Sequence, residues 1–306
     1  MEVTMTQANL KLALGPLLFF WPREKVMTFY RAAIEWPLDT LYLGEVVCGR
    51  RQQLRSRDWV ALAQELAGSG KEIVLSCQAL IEGESDLKRL KVLVDNGELA
   101  IEANDLGAAK LARDHGLPFI AGPHLNIYNG ETLAVLARLG ARRWVAPLEM
   151  SRDMLAGILA AAPAPECEVF AWGRLPLALS ARCFTARHFN LKKDSCEFRC
   201  MEHPDGLTLK TREGSDFLTI NGIETMSGAT QSLLPHLADM RASGVGRARI
   251  SPQAEHCEEI VRTFAAVAAG QTGSDLSACA KGGLVDGYWR GQAGIVKLGE
   301  TQNASA

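Results

Sequence analysis

Short apolar runs recur along the chain and alternate with stretches in which apolar residues return every three or four positions. The runs cover residues 10–20, 40–47, 72–77, 98–102, 118–121, 143–147 and 168–172, nearly all of strand length. Amphipathic stretches at 57–67, 84–95, 106–114, 131–139 and 152–161 lie between them, several preceded by the Ser, Asp or Asn that caps a helix. Glycine-rich turns close many of these. An eighth strand is predicted at Arg247–Ile250, with a closing helix over 254–268. Seven or more βα units with continuously apolar strands predict a parallel sheet covered on both faces, and their number fits a (β/α)8 TIM-barrel-like fold better than an open sheet. The rhythm breaks over 175–228, which reads as an insertion at the barrel's C-terminal face. The expected organisation is one barrel domain over 1–300 and a disordered tail over 301–306.

At 306 residues, 47% apolar and 22% charged, the composition is that of an ordinary globular chain. A net charge of −2 offers no global basic field to draw the protein onto nucleic acid or an acidic membrane. The longest apolar run, 12–21, is about half of the roughly 20 residues a membrane helix needs, and the N-terminus lacks the sections of a signal peptide. A cytoplasmic protein is expected. Eight cysteines are too few for a disulfide scaffold in a chain of this length, which leaves metal binding or catalysis as their competing explanation.

Polar residues gather where the predicted strands end: Gly44, Glu45 and Cys48 after the second, Glu102, Asn104 and Asp105 after the fourth, Gly122, His124 and Asn126 after the fifth, Glu149 after the sixth. Barrel enzymes build their sites at this rim. Glu45, Glu102 and Asn126 are the candidate pocket residues, against the bland alternative that rim carboxylates bind Arg or cap helices. Gly68-Ser69-Gly70-Lys71 lacks the spacing of a phosphate loop and reads as a helix stop, and no dinucleotide fingerprint is present.

The densest chemistry is in the insertion, where Cys183, Cys196 and Cys200 fall among Arg, Lys and Asp. Cys196 and Cys200 form a C-x-x-x-C, which on one helical turn would put both sulfurs on one face. Arg182, Arg187, Lys192 and Lys193 would lower thiol pKa values and offset the charge of a thiolate-ligated cluster. Cys48 would face the same rim and complete a four-thiolate set. Such a set suits a [4Fe–4S] cluster or an all-cysteine zinc site, the alternative being unrelated thiols. His203 could replace a cysteine at zinc, though an exposed histidine beside Pro204 is the plainer reading. Cys77, Cys167, Cys257 and Cys279 read as bystanders, and no local signature marks a catalytic Cys–His pair.

Tyr42-Leu43-Gly44-Glu45 leading to Cys48, Ser180 through Arg187, Cys196 through Cys200, and Asn221-Gly222-Ile223-Glu224-Thr225-Met226-Ser227-Gly228 together resemble the collagenase-like peptidase family. The likeness runs from Leu14-Gly15-Pro16 to Gly287-Tyr288-Trp289-Arg290. It is strongest with members that serve oxygen-independent ubiquinone biosynthesis. In them the four motif cysteines hold a [4Fe–4S] cluster, and they match Cys48, Cys183, Cys196 and Cys200. The resemblance implies a heterodimer with the paralogue UbiU, anaerobic ring hydroxylation of a ubiquinone-precursor lipid delivered by accessory proteins, and prephenate as hydroxyl donor. The family's name implies peptidase activity, but no nucleophile with an activating base is visible in the sequence, so proteolysis is not expected. RNA-base hydroxylation within the same family, or a scaffold subunit with a structural cluster or zinc, are the alternatives; the near-neutral charge counts against nucleic acid.

Overall fold

The computed structural model describes residues 9–161 and 165–300. The expected tail at 301–306 lies outside the described residues. Strands β1 (Lys11–Leu14), β2 (Thr40–Leu43), β3 (Glu72–Ser76), β4 (Ala100–Ala103), β5 (Phe119–Ala121), β6 (Ala141–Val145) and β7 (Glu166–Leu179) pair in parallel in chain order. Two hairpin strands, β8 (Leu207–Lys210) and β9 (Asp216–Asn221), precede β10 (Glu224–Ser232) and β11 (Arg247–Ile250). Strand β11 pairs in parallel with both β7 and β1 and so closes an eight-stranded barrel. The short β12 (Leu284–Val285) pairs with β10.

Helices α1 (Arg23–Ala33), α2 (Ser56–Leu66), α3 (Glu84–Val94), α4 (Leu106–Asp114), α5 (Gly130–Leu139), α6 (Arg152–Ala161), α8 (Leu237–Ala242) and α9 (Cys257–Ala268) connect these strands, and the short α7 (Phe184–His188) lies in the insertion. Local chemistry sets their ends. The Asp105 carboxylate accepts from Gly107 N at 2.7 Å and the Asn129 side chain from Thr132 N at 2.8 Å, each satisfying an otherwise orphaned helix N–H. No helix among the described residues is long and apolar enough to cross a membrane.

Several boundaries shift by one to three residues from the sequence expectation, among them β4, β6 and α9, and three differences shape the site. The run 10–20 is a strand only to Leu14, because Pro16 has no N–H to give a ladder; residues beyond it form a buried loop in which Leu17 N donates to the Tyr30 hydroxyl at 3.2 Å. The run 40–47 stops at Leu43, because Gly44 turns at φ 148 where a Cβ would meet Ser76 O at 2.1 Å. Strand β7 runs past Trp172 to Leu179. It kinks at Gly173 (φ 132), leaves the barrel and pairs antiparallel with β10, so the section carrying the cysteines stands on the C-terminal end of a barrel strand.

The barrel interior is unusually ionic. Aliphatic side chains normally fill such interiors in layers. Here an apolar cluster of Ala13, Val74, Ala100, Ile120 and Val145 around Tyr42 is accompanied by two layers of paired charges. In one, Arg143 lies 2.8 Å from Glu72 and 2.7 Å from Glu166, which Arg247 also meets at 3.2 Å. In the other, Arg249 lies 2.5 Å from Glu168 and 2.7 Å from Glu102, its guanidinium 4.2 Å over the Tyr42 ring.

Candidate metal centre

Cys48, Cys183, Cys196 and Cys200, spread over the chain, border one pocket of about 350 Å³ counting its opening to solvent. None is in a disulfide. Each is placed by a different device. The loop after β2 is held by Glu45, whose Oε1 accepts from Val47 N and Cys48 N, both at 3.0 Å. Cys183 caps α7, its Sγ accepting from Ala186 N at 3.4 Å. Gly222 O in the β9–β10 turn accepts from Phe184 N at 3.0 Å, which fastens α7 to the hairpin. Gly222 sits at φ 70, and a Cβ there would press the Arg51 guanidinium at 2.9 Å.

The C-x-x-x-C is not one helical turn as expected. Cys196 ends one 3₁₀ turn (Lys193–Ser195) and Cys200 lies in another (Arg199–Glu202). Between them Glu197 (φ 51) and Phe198 (φ 55) are both left-handed, a conformation that costs a non-glycine residue on the order of 1 kcal/mol or more. Such stored strain is common at ligand-binding turns.

The cationic groups also differ from expectation. Arg182, Arg187 and Lys192 do not line the pocket, and Lys193 is engaged by Glu82 and by Ala181 O. The buried cation at the thiols is Arg51, which donates to Leu18 O at 2.7 Å and to Asn221 Oδ1 at 2.6 Å. Asn221 in turn donates to Leu18 O and to Glu224 Oε2. Burial raises the Cys48, Cys183 and Cys200 thiols above the ordinary range, and Arg51 pulls them back down. Thus burial outweighs the surface charge expected to activate them.

Two features bear on what the thiols could hold. No three of the four sulfurs lie within 4.8 Å of one another; the group meeting that limit among the described residues is His256, Glu259 and Cys279. Four thiolates on one zinc ion would be about 3.8 Å apart. In addition, the Nε atoms of Arg50, Arg51 and Arg199, all on residues bordering this pocket, are buried without an acceptor. A dispersed thiol set with unsatisfied N–H donors fits a polynuclear centre carrying its own sulfide acceptors. His203 does not border the pocket; it stacks on Phe189 at 6.1 Å.

The remaining candidates do not converge. Glu45 serves the Cys48 loop and pairs with Arg51 at 3.8 Å; burial raises its pKa to about 7. Glu102 is fully buried in the barrel, accepting from the Ser76 hydroxyl at 2.6 Å, with Oε1 near Arg249 but without the alignment of a hydrogen bond. Asn126 is exposed, in a left-handed conformation after a 3₁₀ turn. A barrel-mouth pocket brings Glu102, Asn104 and His124 together with Arg249. Burial and Arg249 lower the His124 pKa to about 4, so this imidazole is neutral at pH 7. Glu149 accepts from the Tyr128 hydroxyl.

Glu224, in the hairpin behind Arg51, has its pKa raised to about 7 by burial, against the Asn221 hydrogen bond and the Arg51 charge; Glu45 adds to the rise. A carboxyl that holds its proton more tightly folded than unfolded stabilises the fold below about pH 4.5, and that contribution fades as pH rises toward 7. Comparing Glu224→Gln with the parent by urea unfolding at pH 5.5 and 8 therefore has a defined sign. The variant's relative stability is expected to increase toward pH 8 by on the order of 1–3 kcal/mol. An identical difference at both pH values would refute this assignment.

A family model described as Peptidase family U32 matches residues 25–269. The tRNA hydroxylation protein P of Escherichia coli (strain K12) is 28% identical over 116 residues, 37% of this chain and 25% of that protein. The chain spans about a quarter of the length of that curated relative. Solved structures to which the chain is similar include an oxaloacetate acetylhydrolase (TM-score 0.44, 12% identity, covering 89% of this chain and 87% of that one) and a U32 peptidase (0.42, 10%, 81% and 95%). Tryptophan synthase from M. tuberculosis is also similar (0.40, 15%, 61% and 81%).

Proposed function

The chain belongs to peptidase family U32, and on that premise we propose that it is an iron–sulfur subunit of an oxygen-independent hydroxylation system. The observation that carries this reading is the meeting of Cys48, Cys183, Cys196 and Cys200 at one pocket bordered by three Arg Nε donors that lack acceptors. A [4Fe–4S] cluster bound there would supply electron transfer or structural support. The protein's own part is to spread four thiols, offset their charge with Arg51 and hold the Cys48 loop through Glu45.

The finer assignment follows the motif resemblance. The segments around the four cysteines and Asn221-Gly222-Ile223-Glu224 resemble those of UbiV, and that resemblance implies a heterodimer with UbiU, action on ubiquinone precursors and prephenate as hydroxyl donor. Proteolysis is disfavoured by the chemistry of the other thiols. Burial pushes Cys77 and Cys257 up to about 12 and also raises Cys167, while Cys279, which lies near the His256 imidazole, is raised by burial and by Glu259. Such thiols are poor nucleophiles at neutral pH.

RNA-base hydroxylation is a second reading, favoured by the named activity of the E. coli relative and disfavoured by the net charge of −2. Deleting the gene in its host and measuring quinones and hydroxylated tRNA bases from the same anaerobic cultures separates the two. Loss of ubiquinone under anaerobic conditions alone is the expected outcome. Loss of tRNA base hydroxylation with quinone intact would overturn the quinone assignment in favour of RNA.

A further inference from the structure

Glu45, Gly49 and Arg51 border a second and larger cavity between α2 and α3, while Cys48, Arg50 and Arg51 border the thiol pocket, so Arg51 lies on both. About 500 Å³ of this cavity is free, within the range of small-molecule sites. Its wall is apolar: Leu54, Trp59, Leu90 and Leu93 are buried there. Trp59 is 6% exposed and its indole N–H has no acceptor, as is true of the buried Trp144 and Trp289 elsewhere; at this wall it leaves a donor open to a ligand oxygen.

The charges around this wall are unequal. Its carboxylates are already engaged, Asp58 by Arg23, Asp86 by Arg89 and Glu45 by Arg51. Arg55, Arg57 and Lys88 also line it, and among the described residues none of them has a carboxylate within 4.0 Å. The N-terminus of the eleven-residue α2, at Ser56, lies among these cations and adds the positive end of its dipole. An apolar wall, an orphaned indole donor and a surplus of cations at the rim are complementary to one ligand chemistry.

We propose that this cavity binds a small aromatic carboxylate, its ring against Trp59, Leu90 and Leu93 and its carboxylate at the Arg55, Arg57 and Lys88 rim. The ligand would then be separated from the thiol pocket by little more than Arg51. Nothing in this inference requires that the ligand be a quinone precursor, and binding is read without turnover.

The test titrates anaerobically purified protein with 1-naphthoate and with its uncharged isostere 1-naphthalenemethanol by calorimetry at 50 and 500 mM NaCl. Naphthoate is expected to bind with a micromolar to sub-millimolar dissociation constant, weaken at high salt, and weaken about tenfold in the charge-reversed Arg57→Glu, Lys88→Glu double variant. The isostere should respond to neither. Leu90→Trp, which fills the cavity from a buried position, should abolish binding of both probes; because it could also unfold α3, the rim variant, altered only at the surface, carries the decision. No detectable naphthoate binding, or binding indifferent to salt and to the rim charges, would overturn the proposal whatever the result of the quinone experiment.

Discussion

Replacing Cys196 with Ala is expected to abolish cluster assembly and leave the barrel standing. Cys196 is half-buried in a segment that joins two 3₁₀ turns, and it is not part of the apolar core. Its removal therefore costs little packing. The cluster proposed for this pocket, by contrast, is held by four thiolates, and removing one takes away the only protein ligand to one of its irons. Iron in anaerobically purified variant should fall from about four per chain to below about one, while its far-UV circular dichroism and unfolding midpoint stay close to those of the metal-free parent. Anaerobic ubiquinone synthesis should be lost and the aerobic route spared. Retention of iron at the parental level would exclude Cys196 as a ligand.

The second large effect is on stability and lies far from the cysteines. Arg249→Ala leaves Glu102 and Glu168, both fully buried, without their cation. Glu168 keeps the Tyr42 hydroxyl at 2.6 Å and Arg143 at 3.8 Å; Glu102 keeps only the Ser76 hydroxyl. Breaking a buried pair from one side typically costs about 3–5 kcal/mol, a large part of the stability of an average domain. Urea unfolding should show a loss of this size, or the variant should fail to accumulate as folded protein. A Glu102→Gln, Glu168→Gln, Arg249→Met triple variant should recover most of it, because the uncompensated charges go with the cation. Equal loss in both variants would mean that Arg249 acts through packing alone.

These two sites mark how far the sequence could be read. The closed barrel was legible because a parallel strand covered on both faces must be continuously apolar, and the boundaries of Leu106–Asp114 and Arg247–Ile250 agree with those expected. The ionic interior was not anticipated, although its signal is present. Glu166 and Glu168 alternate with apolar residues, as do Arg247 and Arg249, at the spacing of two that sends them to one face of a strand. Glu168 and Arg247 open the expected runs 168–172 and 247–250, and a charge at the first position of a run does not by itself show that it faces inward.

At the thiol pocket, the sequence singled out the four cysteines that border it, but the residues that position them were beyond local pattern. Arg51 reaches Asn221 across 170 positions, and no spacing rule connects them. The Asn221-Gly222-Ile223-Glu224 motif was visible as a motif, yet its work, fastening α7 and seating Arg51, emerges only from the hairpin geometry. The shape of the C-x-x-x-C was misread for another reason. Glu197 and Phe198 have no local preference for the left-handed region, and the surrounding structure imposes it.

The central claim is that the four thiols hold an iron–sulfur cluster, and elemental analysis of anaerobically purified protein tests it most directly. About four iron and about four sulfide per chain, with a broad visible absorption that bleaches on reduction with dithionite, is the expected result. Stoichiometric zinc without sulfide, or no bound metal at all, would contradict it.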